Sequence, residues 1–169
     1  ATVLGTAGAA LTQVNRPQTA VVNAATTSVA ARALGVDVAS YQNADLSSHA
    51  QAGAQFAIVK VSEGTSYRNP KASSQISTAL SNNMMPMAYH FATFSSNASA
   101  AAAEANYAIQ TAQAFGLPKG SYIACDYETG SGNNIYGGKT PTANAIIAFM
   151  DTIKNAGYKP LLYASSSVL

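Results

Sequence analysis

Short apolar runs alternate along the chain with longer segments that carry helix signals. The runs have the length of buried strands and cover residues 34–38, 56–61, 85–91, 121–127 and 160–164. Capping residues, prolines and glycines bound helices predicted over residues 44–53, 69–82, 98–115 and 140–155. This alternation predicts an α/β fold with a parallel sheet whose strands are buried on both faces. An open doubly wound sheet and a barrel both fit, although a glycine-rich phosphate-binding loop is missing after the first strand.

The first 33 residues differ in composition from the rest of the chain. They contain no acidic and no aromatic residue, and residues 2–11 resemble the apolar part of a secretory signal, with residues 22–24 as a candidate cleavage site. We therefore expect residues 1–33 to be a partial signal peptide and linker, disordered, and residues 34–169 to form one domain. The alternative is a helical N-terminal arm that packs on this domain.

Composition narrows the range of possible partners. Only 9% of the residues are charged, the net charge is +2, and Lys and Arg form no cluster of the kind that binds nucleic acid. No apolar run reaches the roughly 20 residues of a membrane helix. A surface rich in Ala, Ser, Thr and Asn is common in secreted proteins. The single cysteine, Cys125, lies inside an apolar run, so we expect a small buried side chain and not a nucleophile.

Acidic residues gather where the predicted strands end. Four of the seven acids lie there: Asp37, Glu63, Asp126 and Glu128. The carboxyl ends of parallel strands meet on one face, where barrel enzymes have their active sites. Asp126 and Glu128 are two residues apart, so their side chains point to the same side, and their repulsion raises the proton affinity of one of them. Two solvated acids in a loop are the alternative interpretation.

Tyrosines lie at or near the same strand ends, namely Tyr41, Tyr89, Tyr127 and Tyr163. They are either core aromatics or the lining of a sugar-binding groove, because sugar C–H faces pack on rings and phenols bond to hydroxyl groups. Lys60 either pairs with Glu63 or contacts a substrate. His90 is either a satisfied core histidine or a substrate ligand.

Converging acids and tyrosines suit the cleavage of a glycosidic bond. One acid protonates the leaving oxygen, and carboxylates stabilise the positive charge that grows on the sugar. A metal site is the alternative for clustered acids. We predict no metal and no cofactor, because His90 is the only nearby nitrogen ligand and no paired-histidine spacing occurs.

Four motifs, in order, resemble those of the glycoside hydrolase family 25 lysozymes. They are residues 35–42 (GVDVASYQ), 56–67 (FAIVKVSEGTSY), 88–92 (AYHFA) and 126–128 (DYE). The resemblance covers residues 34–169 and implies a modified β/α barrel of five β/α units followed by further strands. It also implies N-acetylmuramidase activity on the β-1,4 bond between N-acetylmuramic acid and N-acetylglucosamine.

The resemblance also implies roles for individual residues. The general acid would be Glu128, with Asp37 and Asp126 as its acidic partners. The expected substrate-binding residues are Tyr89, Tyr163, Lys60, Tyr41, Glu63 and His90. The expected partner is bacterial peptidoglycan, and the expected location is extracellular, at the cell wall.

The family's pattern continues past the fifth strand, whereas this sequence ends at Leu169. We therefore expect a barrel that is truncated after its fifth strand, with open sheet edges, and a chain that is poorly folded and inactive when expressed alone. Two alternative functions stay open: a non-catalytic or vestigial cell-wall binding module, and a metal-dependent polysaccharide hydrolase.

Overall fold

The computed structural model describes residues 26–166. The strands of this part are β1 (Gly35–Val38), β2 (Phe56–Glu63), β3 (Tyr67–Arg68), β4 (Met85–Phe91), β5 (Tyr122–Asp126) and β6 (Lys159–Tyr163). The helices are α1 (Ser47–Gln51), α2 (Ala72–Ser81), α3 (Ala98–Ala114) and α4 (Lys139–Asn155). Each long strand and each helix predicted from the sequence is present, with shifted ends.

The sheet runs in the order β1-β2-β4-β5-β6, and every neighbouring pair in this order is parallel. A helix connects each of these strands to the next, so the predicted β/α alternation is confirmed. The short strand β3 was not predicted. It pairs antiparallel with the end of β2, through the pairs Ser62–Arg68 and Glu63–Tyr67, and two residues are too few to give a periodic signal.

The helices cover one face of the sheet and form the hydrophobic core with it. Val38, Val59 and Ala88 are each at most 1% exposed, and they pack in one cluster with Ile76 of α2 and Phe149 of α4. Small side chains on α3, mostly alanine, let this helix lie close to its neighbours. The alternate residues of the same strands point to the opposite face, because strand side chains alternate.

This opposite face is only partly covered among the described residues. On β6, Leu161 is 37% and Tyr163 is 62% exposed. The prediction that all strands are buried on both faces is therefore wrong for β6, whose apolar run has one exposed side. Within residues 26–166, β1 and β6 are also the two edges of the main sheet path.

The helix ends follow local chemistry. The Asn97 side chain accepts a hydrogen bond from the Ala100 backbone at 2.9 Å and caps α3, as the Ser-Asn pair before the alanine run predicts. Gly116 follows α3 with a φ of 85°, a left-handed conformation that glycine adopts without strain. Helix α1 spans only five residues, fewer than predicted, and it has no buried residue to stabilise further turns.

Part of the predicted leader can be compared with the structure. Residues 26–33 lie in no helix or strand, and the Thr26 hydroxyl donates to the Asn83 carbonyl at 3.4 Å. The signal and cleavage-site prediction over residues 1–25 lies outside the described residues. Along residues 26–166, no helix combines the length and apolar composition needed to cross a bilayer.

Cys125 has the environment of a structural side chain. It is fully buried in the core on β5, and burial raises the pKa of its thiol far above the ordinary value. We expect Cys125→Ala to lower the free energy of unfolding by about 1–2 kcal/mol, because the substitution leaves a small cavity. Chemical denaturation of both proteins measures this difference. Labelling of the native parent by a thiol reagent, with the fold retained, would contradict the assignment.

Candidate active site

The candidate site lies at the carboxyl ends of the strands, on the face without helices. Residues that pair across a parallel sheet share a face, and the register aligns Lys60 of β2 with Tyr89 of β4. Two residues further along β4, Phe91 aligns with Asp126 of β5, and Asp126 in turn aligns with Tyr163 of β6. The sheet register thus brings the predicted residues of separate strands to one surface.

The Asp126 carboxyl is the most buried acid of this surface, with 9% of the residue exposed. Its Oδ1 has no hydrogen-bond partner among the described residues, and its carboxyl lies within hydrogen-bonding reach of Glu128. Burial, followed by the charges of Glu128 and Asp37, raises the pKa of Asp126 to about 7. Glu128 is partly exposed. The pair therefore holds one proton near neutral pH, next to a carboxyl that solvent can reach.

Asp37 and Tyr89 form the second part of the cluster. The Tyr89 phenol lies near the Asp37 carboxyl and favours its charged form. Burial raises the pKa of Asp37, and the Tyr89 phenol partly opposes the effect. Burial and the nearby charges of Asp37, Asp126 and Glu128 raise the pKa of the Tyr89 phenol well above its ordinary value. Tyr89 is therefore a neutral donor among three acids.

A bulge in β2 brings Lys60 and Glu63 together. The pairing with β4 shifts between Lys60 and Ser62, so that Glu63 returns to the face that carries Phe91. Without the extra residue, side chains three apart on a strand would lie on opposite faces. As it is, Lys60 Nζ lies 2.6 Å from Glu63 Oε2.

The same ion pair connects to aromatic rings and to a loop. Lys60 Nζ lies 5.0 Å from the centre of the Phe91 ring and 5.4 Å from that of Tyr67. Burial raises the pKa of Glu63, but the ion pair with Lys60 and the nearby Ser131 side chain outweigh it and lower the net pKa. Of these contacts, those of Tyr67 and Ser131 were missed from the sequence, because Tyr67 lies in the short unpredicted strand β3 and Ser131 lies in the irregular loop after β5.

Two tyrosines lie at the border of the site. Tyr163 pairs with Asp126 in the sheet register and is 62% exposed. The Tyr163 carbonyl accepts a hydrogen bond from the Tyr127 backbone N–H at 2.8 Å. Tyr41, in the turn after β1, is 92% exposed. Both rings are available for stacking on a ligand.

The prediction that His90 contacts a substrate is wrong. Its ring lies in the core on the helix side of β4, is fully buried, and has its centre 5.5 Å from that of the Phe149 ring. His90 Nδ1 is hydrogen-bonded to the Ser62 hydroxyl at 2.8 Å, and Nε2 to Glu104 of α3 at 2.9 Å. Strand alternation explains this position, because His90 follows Tyr89 and so points to the other face.

Tyr127 is likewise a core residue and no part of a groove. It is fully buried, its ring centre lies 5.5 Å from that of Phe94, and its hydroxyl donates to the Ser95 carbonyl at 2.8 Å. As for metals, no three His, Cys, Asp or Glu side chains within the described part of the chain are grouped as ligands.

Known proteins are similar to this chain in sequence and in fold. The chain is 39% identical over 137 residues to the lysozyme of Lactococcus phage mv1, a match that covers 80% of this chain and 67% of the phage protein. The modular Cpl-1 endolysin, solved in complex with a peptidoglycan analogue, has a TM-score of 0.64 at 31% identity; the match covers 79% of this chain and 36% of the endolysin. The bacterial lysozyme from Streptomyces coelicolor has a TM-score of 0.67 at 28% identity over 79% of this chain and 63% of that one.

These matches confirm the α/β architecture expected from the motifs. They also show that the chain spans about two thirds of the length of the phage mv1 lysozyme and about a third of the modular endolysin. The sequence model of glycosyl hydrolases family 25 matches residues 36–169. The chain therefore belongs to glycosyl hydrolases family 25.

Proposed function

We propose that this protein is an N-acetylmuramidase that cleaves the β-1,4 bond between N-acetylmuramic acid and N-acetylglucosamine in bacterial peptidoglycan. The observation that carries the proposal is the Asp126–Glu128 pair, which holds one proton near neutral pH at the end of a parallel strand. Asp37 and Tyr89 lie in the same cluster. The names of the relatives, phage and bacterial lysozymes, support the same reaction.

Glu128 is the general acid in this proposal. It is partly exposed, whereas Asp126 is 9% exposed, so the Glu128 carboxyl is the one that reaches a glycosidic oxygen. Asp126 shares its proton with Glu128 and keeps it available for the leaving group. Once the proton has been transferred, the carboxylates face the positive charge that develops on the sugar.

Asp37 is the further acidic partner. The Tyr89 phenol lies near its carboxyl, while its neighbours Asp126 and Glu128 add negative charge on the same face. Either a carboxylate or the sugar's own acetamide completes the displacement, and both routes place the cationic centre beside this cluster.

The sugar chain would lie along the exposed tyrosines. Tyr163 and Tyr41 offer rings for stacking, and Tyr89 offers its hydroxyl group. Lys60 and Glu63 bind each other, with side chains 16% and 25% exposed, and so form a fixed polar border of the groove.

The substrate implies a site of action at the bacterial cell wall. We propose secretion as the route there, on the basis of the low-charge surface and the apolar residues 2–11.

Glu128→Gln tests the central assignment. The amide keeps the shape of the side chain but is far too weak an acid to protonate the leaving oxygen, so we expect lysis of purified cell walls to fall by about 10² to 10⁴. Circular dichroism checks that the fold is retained. Asp151→Asn, the same exchange at an exposed site on α4, is the matched control and is expected to lyse walls like the parent.

Three outcomes would decide against the proposal. Near-parental lysis by folded Glu128→Gln protein would remove the general acid. Loss of the parent's activity on addition of a chelator, with recovery on addition of a divalent metal, would favour the metal-dependent hydrolase. Binding to walls without any release of reducing sugar would favour the non-catalytic module.

The proton of the carboxyl pair predicts the pH dependence. Because the pKa of Asp126 is about 7, the pair loses its shared proton as the pH rises through that value. We expect kcat/KM on a soluble peptidoglycan fragment to fall above about pH 7, by about tenfold per pH unit. A rate that stays level well into the alkaline range would show that this proton is not used.

The same group predicts a change in stability. Folding raises the pKa of Asp126 from 3.8 to about 7, so the native state binds more protons than the unfolded chain between these values. The free energy of unfolding therefore decreases as the pH rises through this range. We expect Asp126→Asn to be more stable than the parent above about pH 7, by roughly 1–3 kcal/mol, and the gain to disappear below about pH 4. Denaturation at several pH values measures it; a gain that does not vary with pH would contradict the shifted pKa.

A further inference from the structure

Glu128 lies just beyond the strand that carries the rest of the site. Strand β5 ends at Asp126, and the last bond to β6 is donated by the Tyr127 backbone to the Tyr163 carbonyl at 2.8 Å. The Glu128 backbone carbonyl instead accepts a hydrogen bond from Asn133 Nδ2 at 2.9 Å. A side chain five residues further along the chain thus holds the backbone of the proposed general acid.

Asn133 is itself fixed from the other side. It is 6% exposed, and its Oδ1 accepts from the Ser95 backbone N–H at 2.7 Å. Its own backbone N–H donates to the Gly130 carbonyl at 2.7 Å, which closes the turn between them. An amide offers a donor and an acceptor side by side, so one side chain can join the Glu128 carbonyl to the Ser95 N–H.

Ser95 contacts the chain on both sides of Glu128. Its carbonyl accepts from the Tyr127 hydroxyl at 2.8 Å, and its Oγ accepts from the Asn134 backbone at 2.8 Å. Ser95 has a φ of 55°, a left-handed conformation that is strained for serine. A strained residue that makes hydrogen bonds through its N–H, its carbonyl and its hydroxyl is held in place by its surroundings.

We propose that Asn133 is a positioning residue that holds Glu128 against Asp126 by linking the loop after β5 to Ser95. It does not touch the substrate. This inference rests on the proposed function, because it assigns a role toward the general acid of that reaction. The loop between β4 and α3 thereby becomes part of the catalytic architecture, although it supplies no reacting group.

The test compares the same truncation at two neighbouring residues. Asn133→Ala removes both side-chain bonds, whereas Asn134→Ala removes only an exposed bond to the Tyr136 backbone and keeps the N–H that Ser95 accepts. With a soluble peptidoglycan fragment, we expect Asn133→Ala to lower kcat by ~10- to ~100-fold with little change in KM, as misplacement of a reacting group does. We expect Asn134→Ala to match the parent.

The pH dependence separates positioning from general loss of structure. If Glu128 moves away from Asp126, its charge no longer raises the proton affinity of Asp126, so the alkaline limb of the rate profile moves to lower pH. Carboxyl NMR titration of the parent and Asn133→Ala follows the same pair without any activity. It therefore still tests the inference if the parent proves not to cleave peptidoglycan.

Several results would overturn the inference. These are a folded Asn133→Ala protein with parental kcat and titration, and an equal loss in Asn134→Ala. If Asn133→Ala does not fold, Tyr127→Phe decides, since it keeps the buried ring and removes only the hydroxyl bonded to Ser95. Tyr127→Phe is expected to lower kcat and to move the alkaline limb of the rate profile to lower pH, both by smaller amounts than Asn133→Ala. Parental kcat and pH dependence would refute the role of Ser95.

Discussion

The burial of the Asp126 carboxyl beside a second acid is the constraint on which the site depends. In water these two groups would both be ionised at neutral pH. Here the sheet removes solvent from Asp126 and fixes Glu128 at its side, so that one proton stays bound near pH 7. This arrangement destabilises the charged form of the folded protein, as expected where local electrostatics serve chemistry. The fold must therefore be held together elsewhere.

The other face of the sheet provides that stability. It carries the apolar core, and one cluster of its buried polar groups is hydrogen-bonded internally. Glu104, 4% exposed, accepts from the backbone and the hydroxyl of Thr93 and is bonded to His90, whose other ring nitrogen meets Ser62. A buried carboxyl with three hydrogen bonds is far less costly than an unpaired one. On the site face, Asp126 Oδ1 has no partner among the described residues.

Much of the fold and of the site could be predicted from the sequence, because the carboxyl ends of parallel strands lie together on one face. Asp37, Tyr89 and Asp126 lie near the ends of apolar runs, and the register alone brings these strand ends together. The two-residue period also predicts the shared face of Asp126 and Glu128. His90 was assigned wrongly although the same period applies to it: one residue after Tyr89, it points to the core. Lys60 and Glu63 needed the β2 bulge, which no periodicity reveals. The roles of Ser95 and Asn133 depend on loop contacts 38 residues apart in sequence.

Glu128 lies in a loop, yet its backbone is held in position as firmly as that of a strand residue. Left-handed backbone at Ser95 and Ser131, with φ of 55° and 48°, costs on the order of 1 kcal/mol or more at each residue. Each hydrogen bond that fixes Ser95 contributes about 1 kcal/mol, so the bonds through its N–H, carbonyl and hydroxyl are enough to offset its strain. The gain is also geometric. Since the bonds reach the chain on both sides of Glu128, its backbone cannot shift without breaking one of them. The acid is then limited to motions of its own side chain, within reach of Asp126 on one side and of solvent on the other.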